Sequence, residues 1–65
     1  MTTMPRVFVQ GDRVVINRDC ASVHWHGIAG TVSKSHKTRG QEAQVTVQCD
    51  DGRQRILFEG NLDYA

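Results

Sequence analysis

The stretch Gly27-Ile28-Ala29-Gly30-Thr31-Val32 places two glycines three residues apart, directly before a β-branched pair. Glycine adopts backbone conformations that other residues avoid, and Thr and Val favour strands, so this stretch predicts a tight turn that starts a strand. The earlier stretch Gly11-Asp12-Arg13-Val14 has the same arrangement. Two such turns restrict the chain to a small closed β-structure. They also predict that Gly30 occupies a position where a side chain or a negative φ is not tolerated.

The length limits how much core this chain can build. A chain of 65 residues forms one domain at most and buries only about 60% of the surface that its unfolded form exposes. Residues 1–5 are interpreted as a flexible N-terminal lead-in, and residues 6–65 as a single domain. A core of this size favours additional stabilisation from a partner or from self-association.

The net charge and the number of cysteines limit which partners and which cellular compartment we expect. Eight Lys and Arg against seven Asp and Glu leave a net charge of +1, which gives no overall attraction to nucleic acid or to an anionic membrane. Cys20 and Cys49 are too few for a secreted disulfide framework. The chain shows neither the apolar run of a signal peptide nor a stretch long enough to cross a bilayer. We therefore expect a cytoplasmic protein with free thiols and no membrane partner.

Alternating residues predict the first strands. Val14 and Ile16 share one face of a strand over residues 13–17, and a shorter strand follows over residues 31–33. Residues 18–26 have no sustained period and are interpreted as a long loop. Residues 34–42 contain no apolar side chain and are predicted to form a solvated loop with a basic cluster.

A β-hairpin is the clearest local prediction. Residues 43–49 alternate between apolar and polar side chains, and Asp51-Gly52 suits a two-residue type I′ turn. With these two as the loop, Val47 lies opposite Ile56 and Val45 lies opposite Phe58. The prediction is that these four side chains pack together in the core, because a slip of one residue would expose Ile56 and Phe58.

Short strands, glycine corners and the absence of helical periodicity predict the fold class. They indicate an all-β protein, a small five-stranded SH3-like half-open barrel. The alternative is an OB-type barrel, which is usually longer and carries a helix for which this chain has no room.

Two resemblances cover most of the chain. Gly11-Asp12-Arg13-Val14, Gly27-x-x-Gly30-Thr31-Val32, Val45-x-Val47, Asp51-Gly52 and Leu62 resemble SH3-like barrels of the KOW type and several small bacterial and phage families. Val14-x-Ile16-x-Arg18, Trp25, Gly30-Thr31-Val32 and Val45-Thr46-Val47 resemble the E subunit of photosystem I, whose barrel helps dock ferredoxin. These likenesses imply a barrel that binds nucleic acid or protein, and they assign no docking residue.

A third resemblance is to the plasmid-borne type II dihydrofolate reductases. They share a Gly-Asp-Arg-Val strand and a Trp followed soon by Gly, and they form a tetrameric pore. Their Val-Gln-Ile-Tyr run would fall on Gln54-Arg55-Ile56-Leu57, where only Ile56 matches. Arg55 and Leu57 stand where the family has Gln and Tyr, which argues against reductase activity.

Candidate chemistry is limited to binding. Cys20, His24 and His26 do not have the spacing of a zinc finger, and nothing places a cysteine beside a histidine base and an orienting group. No catalytic residue, metal site or cofactor is therefore predicted. Aromatic and basic side chains in or beside the loops remain as candidate binding residues. These are Trp25, His26, Lys34, His36, Lys37, Arg39, Arg53 and Arg55.

Three functions are carried forward. The first is a non-catalytic interaction module that docks a protein partner through two loops, over residues 18–26 and 34–39, and through Trp25. The basic residues 34–39 are expected on the same side as Trp25 or His26, because a binding surface needs an apolar anchor. The second is a KOW-like nucleic-acid-binding module. The third is an oligomeric enzyme like the type II reductases, which would be a homo-oligomer. Should Trp25 be fully buried on the side opposite to Lys37, the functional surface moves to Arg53, Arg55 and the open sheet face.

Overall fold

The computed structural model describes residues 8–36 and 43–65. Within these two ranges, five strands and two short 3-10 turns follow one another. They are β1 (Arg13–Ile16), a turn (Val23–Trp25), β2 (Ala29–His36), β3 (Gln44–Cys49), β4 (Gln54–Phe58), a second turn (Glu59–Asn61) and β5 (Leu62–Tyr64).

All five strands belong to one antiparallel sheet in the order β4-β3-β2-β1-β5. The sheet does not close, so β4 and β5 are its edges, an arrangement compatible with a half-open barrel. The predicted all-β fold class is confirmed. Within residues 8–36 and 43–65, no helix has the length and apolar character that crossing a membrane would require.

The core lies on one side of this curved sheet. Val14, Val45 and Leu62 are fully enclosed, as expected for alternating strands that bury a single face. Trp25 and Ile28 are partly buried and cover one part of this cluster. The remaining buried apolar residues are Phe8, Ile16, Cys20, Val32, Val47, Cys49 and Leu57, with Ala43 buried beside β3.

Strand β2 is longer than predicted. It continues to His36, and its register against β3 shifts between Val32 and Lys34. Such a bulge lets a strand go on after its side-chain alternation is interrupted. The prediction that residues 34–36 form a loop is therefore wrong. Lys37 and Arg39 lie outside the described residues.

The β3–β4 hairpin differs from its predicted register by one residue. Val47 pairs with Arg55, Val45 with Leu57, and Thr46 with Ile56. Leu57 is 4% exposed, whereas Ile56 is 65% exposed and Phe58 is 47% exposed. The predicted packing of Ile56 and Phe58 in the core is thus wrong, and Leu57 takes that place.

The hairpin loop explains the shift. The Cys49 N–H donates to the Arg53 carbonyl, and the Gly52 N–H donates to the Cys49 carbonyl, so the loop has three residues, Asp50, Asp51 and Gly52. A two-residue type I′ loop would need positive φ at both Asp51 and Gly52. Only Gly52 has it, at +89°. The longer loop therefore avoids a strained aspartate.

Gly30 is required for space. A Cβ built on it would lie 2.6 Å from the Gln48 carbonyl oxygen and 2.8 Å from the Cys49 Cα. These are backbone atoms of the neighbouring strand, which cannot move aside as a flexible side chain could. The predicted intolerance of a side chain is supported. Positive φ is found at Gly27 instead, where the loop turns toward β2.

Candidate docking face

One side of β2, β3 and β4 faces away from the core. Residues directly opposite one another in adjacent strands lie on the same face of a sheet. Lys34, Thr46 and Ile56 form one such row, and His36, Gln44 and Phe58 form the next. We call these six residues the outer face.

Two large apolar side chains stand side by side on the outer face. Ile56 and Phe58 are two residues apart in β4, so they point to the same side, and both are among the most exposed large apolar residues of the described chain. Thr46, between Lys34 and Ile56, is buried. An apolar patch flanked by polar side chains is typical of an interaction surface.

The charges of the outer face are basic. Lys34 and His36 are exposed, and neither forms an ion pair with any residue that the structure describes. Elsewhere on the sheet, an ion pair joins Arg13 and Asp50 at 2.7 Å, and its hydrogen bond lowers the pKa of Asp50. Arg13 is thus held by a partner within the chain.

Trp25 and Arg55 lie on the core side of the sheet. The Arg55 guanidinium stands 5.1 Å from the centre of the Trp25 ring, a cation–π contact. It also donates to both carboxylate oxygens of Asp51, at 3.0 and 3.1 Å. The Arg55 side chain is only 9% exposed. Its contacts hold Trp25 against the core and leave little of Arg55 for a ligand.

The ion pair between Asp51 and Arg55 shifts the pKa of each group in the direction that favours its charged form. The Arg55 hydrogen bond, followed by the Arg53 N–H, lowers the pKa of the Asp51 carboxyl. The same hydrogen bond is the main reason why the pKa of Arg55 is raised, with a smaller contribution from Cys49. Both groups are therefore ionised at neutral pH. This ion pair links β4 to the loop that precedes it.

Trp25 packs on the core side, opposite to Lys34 and His36, so these residues do not share a face with Trp25. Lys37 and Arg39 lie outside the described residues, and the predicted surface that joins the basic residues to Trp25 or His26 stays a prediction. His26 is half-buried and hydrogen-bonds through Nε2 to the Cys20 carbonyl at 2.7 Å. Arg53 is exposed at the hairpin.

A second surface feature is an open depression near the end of β1. It has a volume of about 710 Å³ and lies widely open to solvent. Arg18, Asp19 and His26 contribute to its wall, so the loop over residues 18–26 does frame a concavity. The other lining residues are Val15, Ile16, Asn17, Gly27 and Asp63.

Cysteine, histidine and carboxylate side chains are the groups that could bind a metal ion within the described ranges. No group of three or more His, Cys, Asp or Glu side chains there is arranged to hold a metal ion. Both cysteines are free and buried, and their surroundings include no histidine hydrogen-bonded to a thiol among these residues. The features that remain are the two surfaces described above, the outer face and the open depression.

Ile56 and Phe58 were missed as surface residues, although the sequence carries a signal for them. Ile56-Leu57-Phe58 is a run of three consecutive apolar residues in a strand. Since side chains alternate between faces, any register must expose either Leu57 or its two neighbours. The run itself therefore indicates an apolar residue on the outside.

Comparison of the chain with protein-family models, with curated proteins and with solved structures finds no match.

Proposed function

We propose that this chain is a non-catalytic interaction module of the SH3-like type, and that its outer face docks an acidic segment of a protein partner. The observation that carries the proposal is the exposure of Ile56 and Phe58, at 65% and 47%, beside an exposed Lys34 that has no ion-pair partner among the described residues. Apolar anchors surrounded by polar groups are the usual composition of protein interfaces.

Lys34 and His36 are the reason for proposing an acidic partner segment. Lys34 and His36 stand in the same two rows as Ile56 and Phe58. A partner segment with an apolar side chain flanked by carboxylates would satisfy both features. Electrostatic complementarity of this kind mainly raises the association rate and selects the partner.

The nucleic-acid alternative is less well supported by the same surface. A single-strand binding face needs several cations along a groove and stacked aromatic side chains. The outer face offers one aromatic ring, and Arg55 is held by Asp51 and Trp25. The net charge of +1 adds no general attraction to phosphates. Nucleic-acid binding therefore stands as an outcome that the experiment must distinguish.

The test uses two synthetic peptides and an oligonucleotide, with amide chemical shifts as the readout. The first peptide alternates Glu with Leu, the second replaces each Glu with Lys, and the oligonucleotide is a short poly-dT. We expect the acidic peptide to shift the amides of Lys34, Ile56 and Phe58. Phe58→Ala should weaken this binding about tenfold, because the main anchor is truncated. Val23→Ala is the matched control, since Val23 is equally apolar and 66% exposed but lies in the loop between β1 and β2.

Each other outcome contradicts the proposal in its own way. Shifts confined to residues 18–27 would move the site to the open depression. Binding of poly-dT with a steep salt dependence, in preference to the acidic peptide, would favour the KOW-like alternative. A tetramer that reduces dihydrofolate would favour the enzyme.

A further inference from the structure

Along its length, the outer edge of β4 pairs with no strand among the residues that the structure describes. The Cys49 N–H donates to the Arg53 carbonyl, and the Glu59 N–H donates to the Ala43 carbonyl. In an antiparallel pair, hydrogen-bonded residues alternate with residues whose backbone groups point the other way. Gln54, Ile56 and Phe58 therefore direct their N–H and C=O groups away from β3. Across the described part of the chain, no strand pairs with that edge.

This edge has few of the features by which sheets avoid pairing. Exposed edges are commonly protected by proline, by a bulge or by a charged side chain. Gln54, Ile56 and Phe58 provide none of these, and the β3–β4 register is regular from end to end. The one charged residue of β4, Arg55, is paired with Asp51 on the core side of the sheet. The opposite edge strand, β5, has only three residues and carries Asp63 at its centre. The two edges are thus unequal, and β4 is the one suited to receive another strand.

The sequence of the edge is complementary to itself. If two copies of β4 pair antiparallel about Ile56, Ile56 faces the partner's Ile56 and Gln54 faces the partner's Phe58. All three outward residues of each strand then exchange backbone hydrogen bonds with the partner. Immediately beyond the strand, Arg53 comes opposite the partner's Glu59, and this happens at both ends because the pairing is two-fold symmetric. We propose that the occupant of the β4 edge is a second copy of this chain, paired in this register.

Neighbouring registers are less favourable. A shift of two residues toward the hairpin would bring the two Arg55 side chains opposite each other, and like charges in that position destabilise a sheet. A shift of two residues the other way would leave Gln54 without a partner. A shift of one residue would put outward backbone groups opposite inward ones. Only pairing about Ile56 uses every open backbone group and also matches Arg53 with Glu59.

The dimer would join the two sheets edge to edge. Since residues that pair across strands share a face, the outer faces of both copies would lie on one side of the combined sheet. The docking proposal above concerns the face of β4, whereas this one concerns its edge, so neither depends on the other. The interface is small, which predicts self-association that depends on protein concentration.

The experiment exchanges the two charges and measures association by sedimentation velocity, over a concentration range of about two orders of magnitude. Arg53→Glu alone places like charges opposite each other at both ends of the dimer, and Glu59→Arg alone does the same with the opposite sign. Each should weaken self-association about tenfold. An equimolar mixture of the two variants should associate at least as well as the wild type, because every pair across the mixed interface is again of opposite charge.

Two further variants test whether self-association depends on the β4 edge or on another part of the surface. Gln54→Pro removes an outward N–H while leaving the bonds to β3 intact, and proline is tolerated at the start of an edge strand. It should weaken association without lowering the melting temperature. Asp63→Asn, on β5, is the control and should leave association unchanged. A wild type that stays monomeric at the highest concentration overturns the proposal. A mixture that associates no better than its components also overturns it. Peptide binding to the outer face, measured separately on the monomer, is unaffected by either result.

Discussion

The two sides of strand β4 behave as different kinds of surface although they alternate residue by residue. Leu57 points into the core and is 4% exposed, whereas its neighbour Ile56 points out and is 65% exposed. On the inner side Arg55 is held by Asp51 and stacked on Trp25, while on the outer side Lys34 has no ion-pair partner among the described residues. The inner side of β4 therefore stabilises the fold, and its outer side is exposed to possible partners.

A single loop residue assigns these roles to the two sides of β4. A two-residue loop would have placed Ile56 and Phe58 inside. The observed loop includes Asp50, so the register moves by one position and Leu57 enters the core. Because strand side chains alternate with a period of two, that one step exchanges the faces of the whole strand.

The largest expected effect tests this exchange directly. Leu57→Ala should lower the free energy of unfolding by about 2 to 5 kcal/mol, since it removes a buried side chain and leaves a cavity. Ile56→Ala should change it by less than about 0.5 kcal/mol, as exposed substitutions usually do. Urea unfolding followed by circular dichroism measures both. Equal losses for the two variants would show that β4 does not have the described register.

A second prediction concerns Gly30, where the backbones of β2 and β3 lie too close for a side chain. Gly30→Ala should destabilise the protein by about 1 to 3 kcal/mol, because the added methyl group meets backbone atoms of β3 and the strands must separate. Gly27→Ala is the informative control. A Cβ there meets nothing within 4 Å, so its cost comes only from the positive φ, about 1 to 2 kcal/mol. Crystal or NMR structures of the two variants should show a shifted β2–β3 pair only for Gly30→Ala. An unshifted pair in that variant would contradict the space argument.

The smallest effect concerns the Asp51–Arg55 pair. The folded protein lowers the pKa of Asp51, chiefly through the Arg55 hydrogen bond, so the carboxylate favours the folded state above the pKa of the unfolded chain, about 3.9. That contribution is lost as the pH falls through the lower, folded pKa. Wild type should therefore be more stable than Asp51→Asn at neutral pH, and the difference should shrink in acid. The exposed position of the aspartate keeps the effect small.

A double-mutant cycle isolates this pair. Asp51→Asn retains an oxygen that can accept the Arg53 N–H, so the variant removes mainly the charge. In an Arg55→Gln background the same substitution should produce little dependence on pH, measured by thermal melts across the acid range. A pH dependence as large as in the wild-type background would mean that Arg55 does not lower the pKa of Asp51.

The candidate surface was only partly predictable from sequence. The exposure of Lys34, His36 and Arg53 followed from their charge, but grouping Lys34 with Trp25 failed because the two lie on opposite sides of the sheet. Arg55 was expected to face a ligand, and instead it lies over Trp25. Local sequence contains no information about which distant side chain covers an aromatic ring, since that depends on how β4 and the loop before β2 come together.

The sequence alone predicts most of the strands and the glycine turns, but it does not predict the three-residue loop of the hairpin or the full length of β2. Alternation in residues 13–16 and 44–49, together with Gly11, Gly27 and Gly52, is local, and local sterics decide it. The tertiary structure decided which side of β4 is buried. Ile56-Leu57-Phe58 is apolar throughout, so its hydrophobic pattern is compatible with either register. Backbone strain at Asp51 and the Asp51–Arg55 pair act within the hairpin itself. The packing of Leu57 with residues far away in the chain acts only once the sheet has assembled.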